Sequence, residues 1–343
     1  MNAKNKPTGK KVVLIILSVV LALILLALIG VAVYANWFLG KIHKDPDQEV
    51  TLSPEQIQQV LEEDQDATRP SDATLVVPED VQWEQADKVE TADHIFNILL
   101  IGQDRRPGEI RARSDTMILI TINTKDHTLS MTSFLRDLYV QIPGYSPNRL
   151  NGPYVLGGFN LLADTMELNF GIRPDRFVEV DFDGFKTVID AVGGVDIELT
   201  GAEASYMNKQ GNGPVTVGVN HLNSEQALAY ARNRSVGGSG DFARTQRQRN
   251  VISALFEKSR SLNLVQINDL ILSLTEVITT NLTSAEIMSY VVQFYPMLPQ
   301  LASPESVRIP ADGTYYLGWV DGVGSVVVAD FDENRKVIAD TQK

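Results

Sequence analysis

The stretch ARNRSVGGSGDFARTQRQ, residues 231–248, holds four arginines, one acid and no lysine. A guanidinium is a planar fork that grips phosphate or carboxylate oxygens in pairs and keeps its proton. Gathered around a glycine-rich loop, in a chain of formal charge −13, such a set suits a bound anion. Val251, Ile252, Leu255 and Phe256 mark the buried face of a helix that begins at Asp241, a good N-cap residue. Counting back in helical steps puts Arg244, Arg247 and Gln248 on that same stripe. Cations in a first turn oppose the helix dipole, whereas an anion there is favoured by the dipole and by free N–H groups. Arg232 and Arg234 arrive from the end of the preceding helix, and the SVGGSG loop has enough glycine to bring both groups together. Surface arginines on a flexible loop, or arginines paired to core acids, are the alternative.

A second gathering lies in IGQDRRPGEIRARSDTM. Asp104 follows one strand and Asp115 begins the next, so both carboxylates stand at neighbouring strand ends. One Mg²⁺ can be held by one or two carboxylates and complete its shell with water and phosphate oxygens. Arg105, Arg106 and Arg113 are near enough in sequence to make local salt bridges the competing reading. A third gathering is Arg136 and Asp137 in FLRDLYVQIPG, also at a strand end, where open α/β sheets bind ligands. A capping Asp beside a surface Arg would look the same.

The elements that must position these groups alternate. FNILLIG, TMILITIN and HTLSMTS read as strands, the last two as a hairpin. VLGGFNLLADTMELNF is a helix stopped by Gly171. RFVEVDF is a strand, DGFKTVIDAVGG a helix, and VDIEL a strand. Helices follow at SEQALAYARNR, opened by Ser224, at DFARTQRQRNVISALFEKSRS, and over 264–279 and 284–294; SVVVADF is a late strand. The pattern predicts an α/β (α+β) domain, a mixed central sheet flanked by helices, preceded by a single N-terminal transmembrane helix.

Val12 to Gly40 contains no charge, long enough for the ~20 residues that cross a bilayer. Lys4, Lys6, Lys10 and Lys11 precede it and no small-residue cleavage site follows closely. The expected layout is a cytoplasmic tail 1–11, an anchor 12–36, an acidic extracellular stalk 37–93 and an extracellular catalytic domain 94–343 with its core motifs in 95–260. A cleaved signal peptide is the other reading of the apolar run. Residues 45–93 carry fifteen acids against Arg69 and Lys88, which suits a solvated spacer in which only SPEQIQQVLEED forms a helix.

Other chemistries are set aside. The chain has no cysteine, hence no thiolate metal site or disulfide. It has no G-x-S-x-G and no Walker A pattern, and His43, His94, His127 and His221 lack metal-ligand spacing. His221 reads as a structural residue in a turn. A wide nucleic-acid surface would need a basic domain.

Taken in order, NILLIGQDRR, RSDTMILITIN, SFLRDLYVQIPG, RLNGPYVLGG, DFDGFKTVIDAVGGVDIEL, LNSEQALAYARNR and DFARTQRQ resemble the LytR-CpsA-Psr family of cell-wall glycopolymer transferases over about residues 95–260. PADGTYY…VVVADF resembles the extension often found behind that domain. The segment NRLNGPY departs from the lysine- and alanine-rich residues common there, which weakens any carry-over to Arg149.

The resemblance implies an Mg²⁺-dependent phosphotransferase, with Mn²⁺ as the other metal. It would pass a sugar-phosphate-ended glycopolymer (teichoic acid, capsule or another glycan) from a polyprenyl-pyrophosphate lipid to a peptidoglycan hydroxyl, releasing polyprenyl phosphate. It implies Asp104 and Asp115 as metal ligands, and Arg106, Arg136, Arg232, Arg234, Arg244, Arg247 and Gln248 on the pyrophosphate. Asp104, Arg136, Asp241 and Arg247 would be catalytic, Asp241 as base or as orienter of an arginine. The partners implied are that lipid-linked polymer, peptidoglycan and the membrane, with no nucleic acid. A lipid-pyrophosphate phosphatase using water as acceptor, and a non-catalytic membrane-tethered regulator, are the rival readings.

Overall fold

Four of the apolar runs expected as strands form the middle of one mixed sheet, while Gly324–Ala329 pairs with Tyr315–Val320 in a separate one. In this computed structural model the described residues are 40, 43–44, 52–61, 69–71, 73–83, 86–105, 111–238 and 240–343. The proposed anchor 12–36 and Arg106 lie outside them. Among the described residues no helix is long and apolar enough to cross a membrane.

Strand β1 (Ile95–Gln103) pairs antiparallel with β2 (Ser114–Asn123), which pairs antiparallel with β3 (Thr128–Phe134). The β2–β3 reversal is held by Asn123, whose side-chain oxygen accepts from the N–H groups of Lys125 and Asp126 at 2.9 Å each, a turn that Asn favours. Outside these lie β4 (Arg176–Val180), parallel to β1, then β5 (Ile278–Thr280), antiparallel to β4. His43–Lys44 closes that edge, and β6 (Glu305–Ile309), parallel to β3, closes the other. The sequence predicts a helix running through to residue 279. The helix instead stops at Leu274, and the β-branched Ile278–Thr280 joins the sheet, where branched side chains pack well.

Alternation of side chains gives the sheet two faces. One buries Leu99, Ile101, Met117, Leu119 and Phe134 against helix α1 (Gly152–Phe170), with Phe159 stacked on Phe177 at 4.6 Å. Each such buried ring or aliphatic chain contributes roughly 1.5–3 kcal/mol. The other face carries α2 (Phe182–Ala191), α4 (Ser224–Arg232) and α5 (Asp241–Ser259). A second core of Ile189, Val195, Leu222, Tyr230 and Val251 joins these helices. It includes a unit that sequence reading did not separate from the sheet. Val195–Leu199 pairs only with Gly218–Leu222, as a two-stranded ribbon, and the short α3 (Gly201–Lys209) lies between them. His221 ties this ribbon together, with its ring nitrogens 2.7 Å from Asp196 and 2.9 Å from the Gly193 carbonyl.

The stalk expected over 37–93 needs correction where it is described. His43–Lys44 pairs with Thr279–Thr280. The helix Pro54–Leu61 forms as predicted, but it is docked: Asn148 donates to the Leu61 carbonyl at 3.0 Å and Arg113 to that of Val60. Thr74–Leu75 pairs with Gly318–Trp319, and Val76 and Val81 enter the main core. Trp83 packs on Tyr139 and Phe331. At Gly171 a Cβ would stand 2.2 Å from the Asp87 carbonyl, and φ is +74°, so only glycine admits this strap against the end of α1. High charge disguised the segment: its few apolar residues, not its mean composition, decide where it packs.

Candidate active site

The carboxyl ends of β1 and β4, the start of β2 and the facing ends of α4 and α5 meet at one opening. Asp104, Asp115, Arg232, Arg234, Arg244 and Gln248 line a cavity of about 520 Å³ there. Its depth is apolar: Leu100 and Val178 from the sheet, Phe185 and Val188 from α2, and Ile252 and Leu255 from α5. One end therefore suits a dense anion and the other a hydrocarbon chain.

Asp241 organises the charged end. The sequence makes it the expected cap of α5. Gly240 holds that position without a side-chain cap, and the Asp241 carboxylate turns instead to three guanidiniums. Arg244 Nη2 donates to it at 2.7 Å, Arg234 Nε lies at 3.4 Å and Arg136 Nε at 3.3 Å. Arg136 also donates from Nη1 to Asp115 Oδ1 at 2.6 Å. Burial works against the Arg136 charge, but Asp137, Asp241 and Asp115 around it hold its pKa above the usual arginine value. Asp137 is pushed up by burial, against the pull of Arg136.

Arg244 is 3% exposed. Burial pulls its pKa down to about 10; Asp241 resists, while the neighbouring Arg136 and Arg234 add repulsion. Its Nε and the Gln248 Oε1 are buried without a hydrogen-bond partner among the described residues, whereas Gln248 Nε2 donates to Thr116 Oγ1 at 2.8 Å. A buried guanidinium crowded by cations and short of a partner is poorly satisfied by the protein alone. Added negative charge at the mouth relieves both defects.

Arg232 lies over the Phe182 ring at 4.2 Å and 4.0 Å from Asp104. Two of the arginines near these acids in sequence have partners elsewhere. Arg105 pairs with Asp181 at 3.1 Å, and Arg113 hydrogen-bonds Asn151 at 3.3 Å. Arg149 donates to the carbonyls of Ser325 and Val323 at 2.9 and 2.6 Å. Among the described residues no three His, Asp or Glu side chains gather as a metal cage. Asp104 and Asp115, both on the cavity, are nevertheless enough for a Mg²⁺ that draws its other ligands from phosphate and water.

Arg247 departs from expectation. The helical stripe correctly predicts its burial, yet the side chain does not line the cavity. It faces the other side of the loop and spends its nitrogens on Glu203 and on two backbone carbonyls. The physical reason is the 100° step along a helix: residue 247 stands one turn from 244 and a sixth of a turn off its line. Sequence reading missed Glu203, Thr116, Asp181 and Phe182. Thr116 adjoins Asp115 and Phe182 adjoins a helix cap, so proximity to a motif was their only signal.

An α/β domain with a charged-mouthed, apolar-walled cavity at the carboxyl ends of its strands defines a binder of amphiphilic anions. The LytR_cpsA_psr family profile matches residues 59–328, and the chain belongs to that family. It is 32% identical over 231 residues to the polyisoprenyl-teichoic acid–peptidoglycan teichoic acid transferase TagU of Bacillus cereus, covering 66% of this chain and 72% of that one. The TagU of Bacillus subtilis (strain 168) is 34% identical over 190 residues, 55% of this chain and 60% of that one. Among solved structures, B. subtilis TagT superposes with a TM-score of 0.60 at 27% identity, covering 78% of this chain and 98% of that one. TagT bound to LI-WTA gives 0.60 at 27% identity, with 76% and 95% covered.

Proposed function

We propose that the protein transfers a glycopolymer, as its sugar phosphate, from a polyprenyl-pyrophosphate carrier to a hydroxyl of peptidoglycan, releasing polyprenyl phosphate. The observation that carries this reading is the cavity's division into a charged mouth and an apolar depth. The family membership and the transferase names of the TagU relatives support the glycopolymer and the acceptor.

In this reading the diphosphate lies at the mouth. Arg232, Arg234 and Arg244 neutralise its oxygens, Gln248 adds a polar contact, and Asp241 keeps the arginines converged. Arg136 ties Asp115 to Asp241. The acceptor oxygen forms a new bond to the sugar-bearing phosphorus, the P–O–P bridge breaks, and polyprenyl phosphate leaves with the electron pair. The acceptor's proton passes to solvent at the open mouth. Such transfer demands positioning and charge neutralisation more than a protein nucleophile. Asp104 and Asp115 would hold Mg²⁺, or Mn²⁺, which supplies further neutralisation of the phosphate oxygens. Arg106 would belong to the same anion site.

The run 12–36 would anchor the chain with its N-terminus in the cytoplasm and the domain outside. The lysines before the run support that orientation. The pairing of His43–Lys44 beside Ile278, a wall residue of the cavity, agrees with a lipid delivered close to where the run ends. The test is transfer from a labelled lipid-linked polymer onto purified peptidoglycan. Attachment to peptidoglycan with release of polyprenyl phosphate is expected. Release of free phosphorylated polymer with no attachment would assign the site to the phosphatase instead.

A further inference from the structure

Arg247 is 4% exposed and its partner Glu203 is 7% exposed. Nε donates to Glu203 Oε1 at 2.8 Å, Nη1 to the Asn233 carbonyl at 2.8 Å, and Nη2 to the Val236 carbonyl at 2.6 Å. Gly237, at φ +85°, packs so closely that a Cβ there would stand 3.1 Å from Nη2. The guanidinium also sits 6.0 Å from the Tyr230 ring of α4. Glu203 is fixed in turn, because its Oε2 accepts from the Thr200 N–H at 3.0 Å and hydroxyl at 2.8 Å in the capping box of α3. These contacts join α3, α5 and the loop that follows α4. That loop carries Arg234 and continues directly from Arg232.

We infer that Arg247 and Glu203 are positioning residues: they hold the loop segment 233–238 so that Arg232 and Arg234 face the cavity mouth. This rests on reading the mouth as a diphosphate site. A lysine could not replace the clamp, because one ammonium lacks the fixed fork that reaches a carboxylate and two carbonyls together. The inference also divides the arginine cluster. Arg232, Arg234 and Arg244 line the cavity, while Arg247 orders the loop that presents the first two.

The test uses the full chain in detergent, with inorganic pyrophosphate titrated calorimetrically into wild type, Arg247→Lys, Arg234→Ala and the double variant. Arg247→Lys should weaken pyrophosphate binding about tenfold, the size of one lost charged hydrogen bond. It should also speed hydrogen exchange at the amides of residues 235–238. The double variant should lose less than the two single losses combined, since part of what Arg247 positions is already gone. Additive losses would make Arg247 a direct ligand and overturn the inference. So would faster loop exchange with pyrophosphate affinity unchanged, the mark of a merely structural clamp. Should Arg247→Lys not fold, Glu203→Gln, which keeps the shape and two acceptor lone pairs, replaces it with the same expectations. If wild type binds no pyrophosphate while its loop remains protected, the diphosphate reading of the mouth fails and this inference falls with it. An exposed loop in a wild type that does bind pyrophosphate overturns the clamp alone.

Discussion

Asp115 Oδ1 and Arg136 Nη1 face each other at 2.6 Å across the end of the β2–β3 pair, and the same guanidinium places Nε 3.3 Å from Asp241. Arg136 is thus the bridge between a proposed metal ligand and the acid that gathers the other arginines. Arg136→Gln keeps polarity and removes charge and fork. It should lower transfer by about 100-fold or more, the size of losing one transition-state donor, because Asp115 and the arginines gathered by Asp241 lose their common tie, while the chain still melts cooperatively. Turnover of the lipid-linked polymer beside a thermal melt checks both. Retained turnover would remove the bridge from the chemistry.

The apolar walls predict selectivity for the carrier. Val188→Trp would fill the cavity's depth without touching its mouth. The Michaelis constant for a long polyprenyl donor should rise at least several-fold, whereas affinity for inorganic pyrophosphate stays constant. Parallel changes in both would show that tail and headgroup do not occupy separate parts of the cavity.

The Glu203 pair predicts a pH dependence of stability. Burial alone would raise the carboxyl, but hydrogen bonds from Thr200 and then Arg247 prevail and hold it below its ordinary 4.5. A depressed carboxylate stabilises the fold fully above its unfolded value, and that stabilisation is lost as pH falls through the folded value. Melting temperature should therefore drop on acidification below about pH 4.5, with a smaller slope in Glu203→Gln. Glu203→Ala, which strands a buried guanidinium, should cost about 3–5 kcal/mol at neutral pH. Equal slopes in wild type and Glu203→Gln would refute the pairing.

The docked acidic segment predicts where the domain can be cut. A chain begun at residue 94 lacks Val76, Val81 and Trp83 and opens the main core. It should unfold without a cooperative transition, whereas one begun at residue 52 should melt cooperatively in calorimetry.

Asp104 and Asp115 predict a metal requirement. Chelation should abolish transfer and Mg²⁺ should restore it, while Asp104→Asn should need more metal for half-maximal rate. Full activity in chelator would exclude the metal role.

Much of the site was legible because motif residues lie at element ends, and element ends are set by local signals such as Gly171 and the alternation of β1. The spacing of Arg232, Arg234, Arg244 and Gln248 anticipates their meeting on one cavity. Three things were not legible. Asp241 resembles an N-cap in any linear reading, and only the presence of three arginines diverts it. Arg247 shares a helical stripe with Arg244, and only α3, placed by a long detour of chain, offers it Glu203. The acidic segment 45–93 has the composition of a spacer, yet a few apolar side chains find a core that exists only once the sheet is built.

By itself, then, the sequence determined the strand-and-helix alternation, the gathering of arginines and acids, and the family, since these depend on periodicity and on order along the chain. The tertiary structure alone decided which guanidiniums line the cavity, which one braces the loop, and which residues form the apolar wall. Those outcomes follow from side-chain direction and from partners distant in sequence, and no local propensity encodes either.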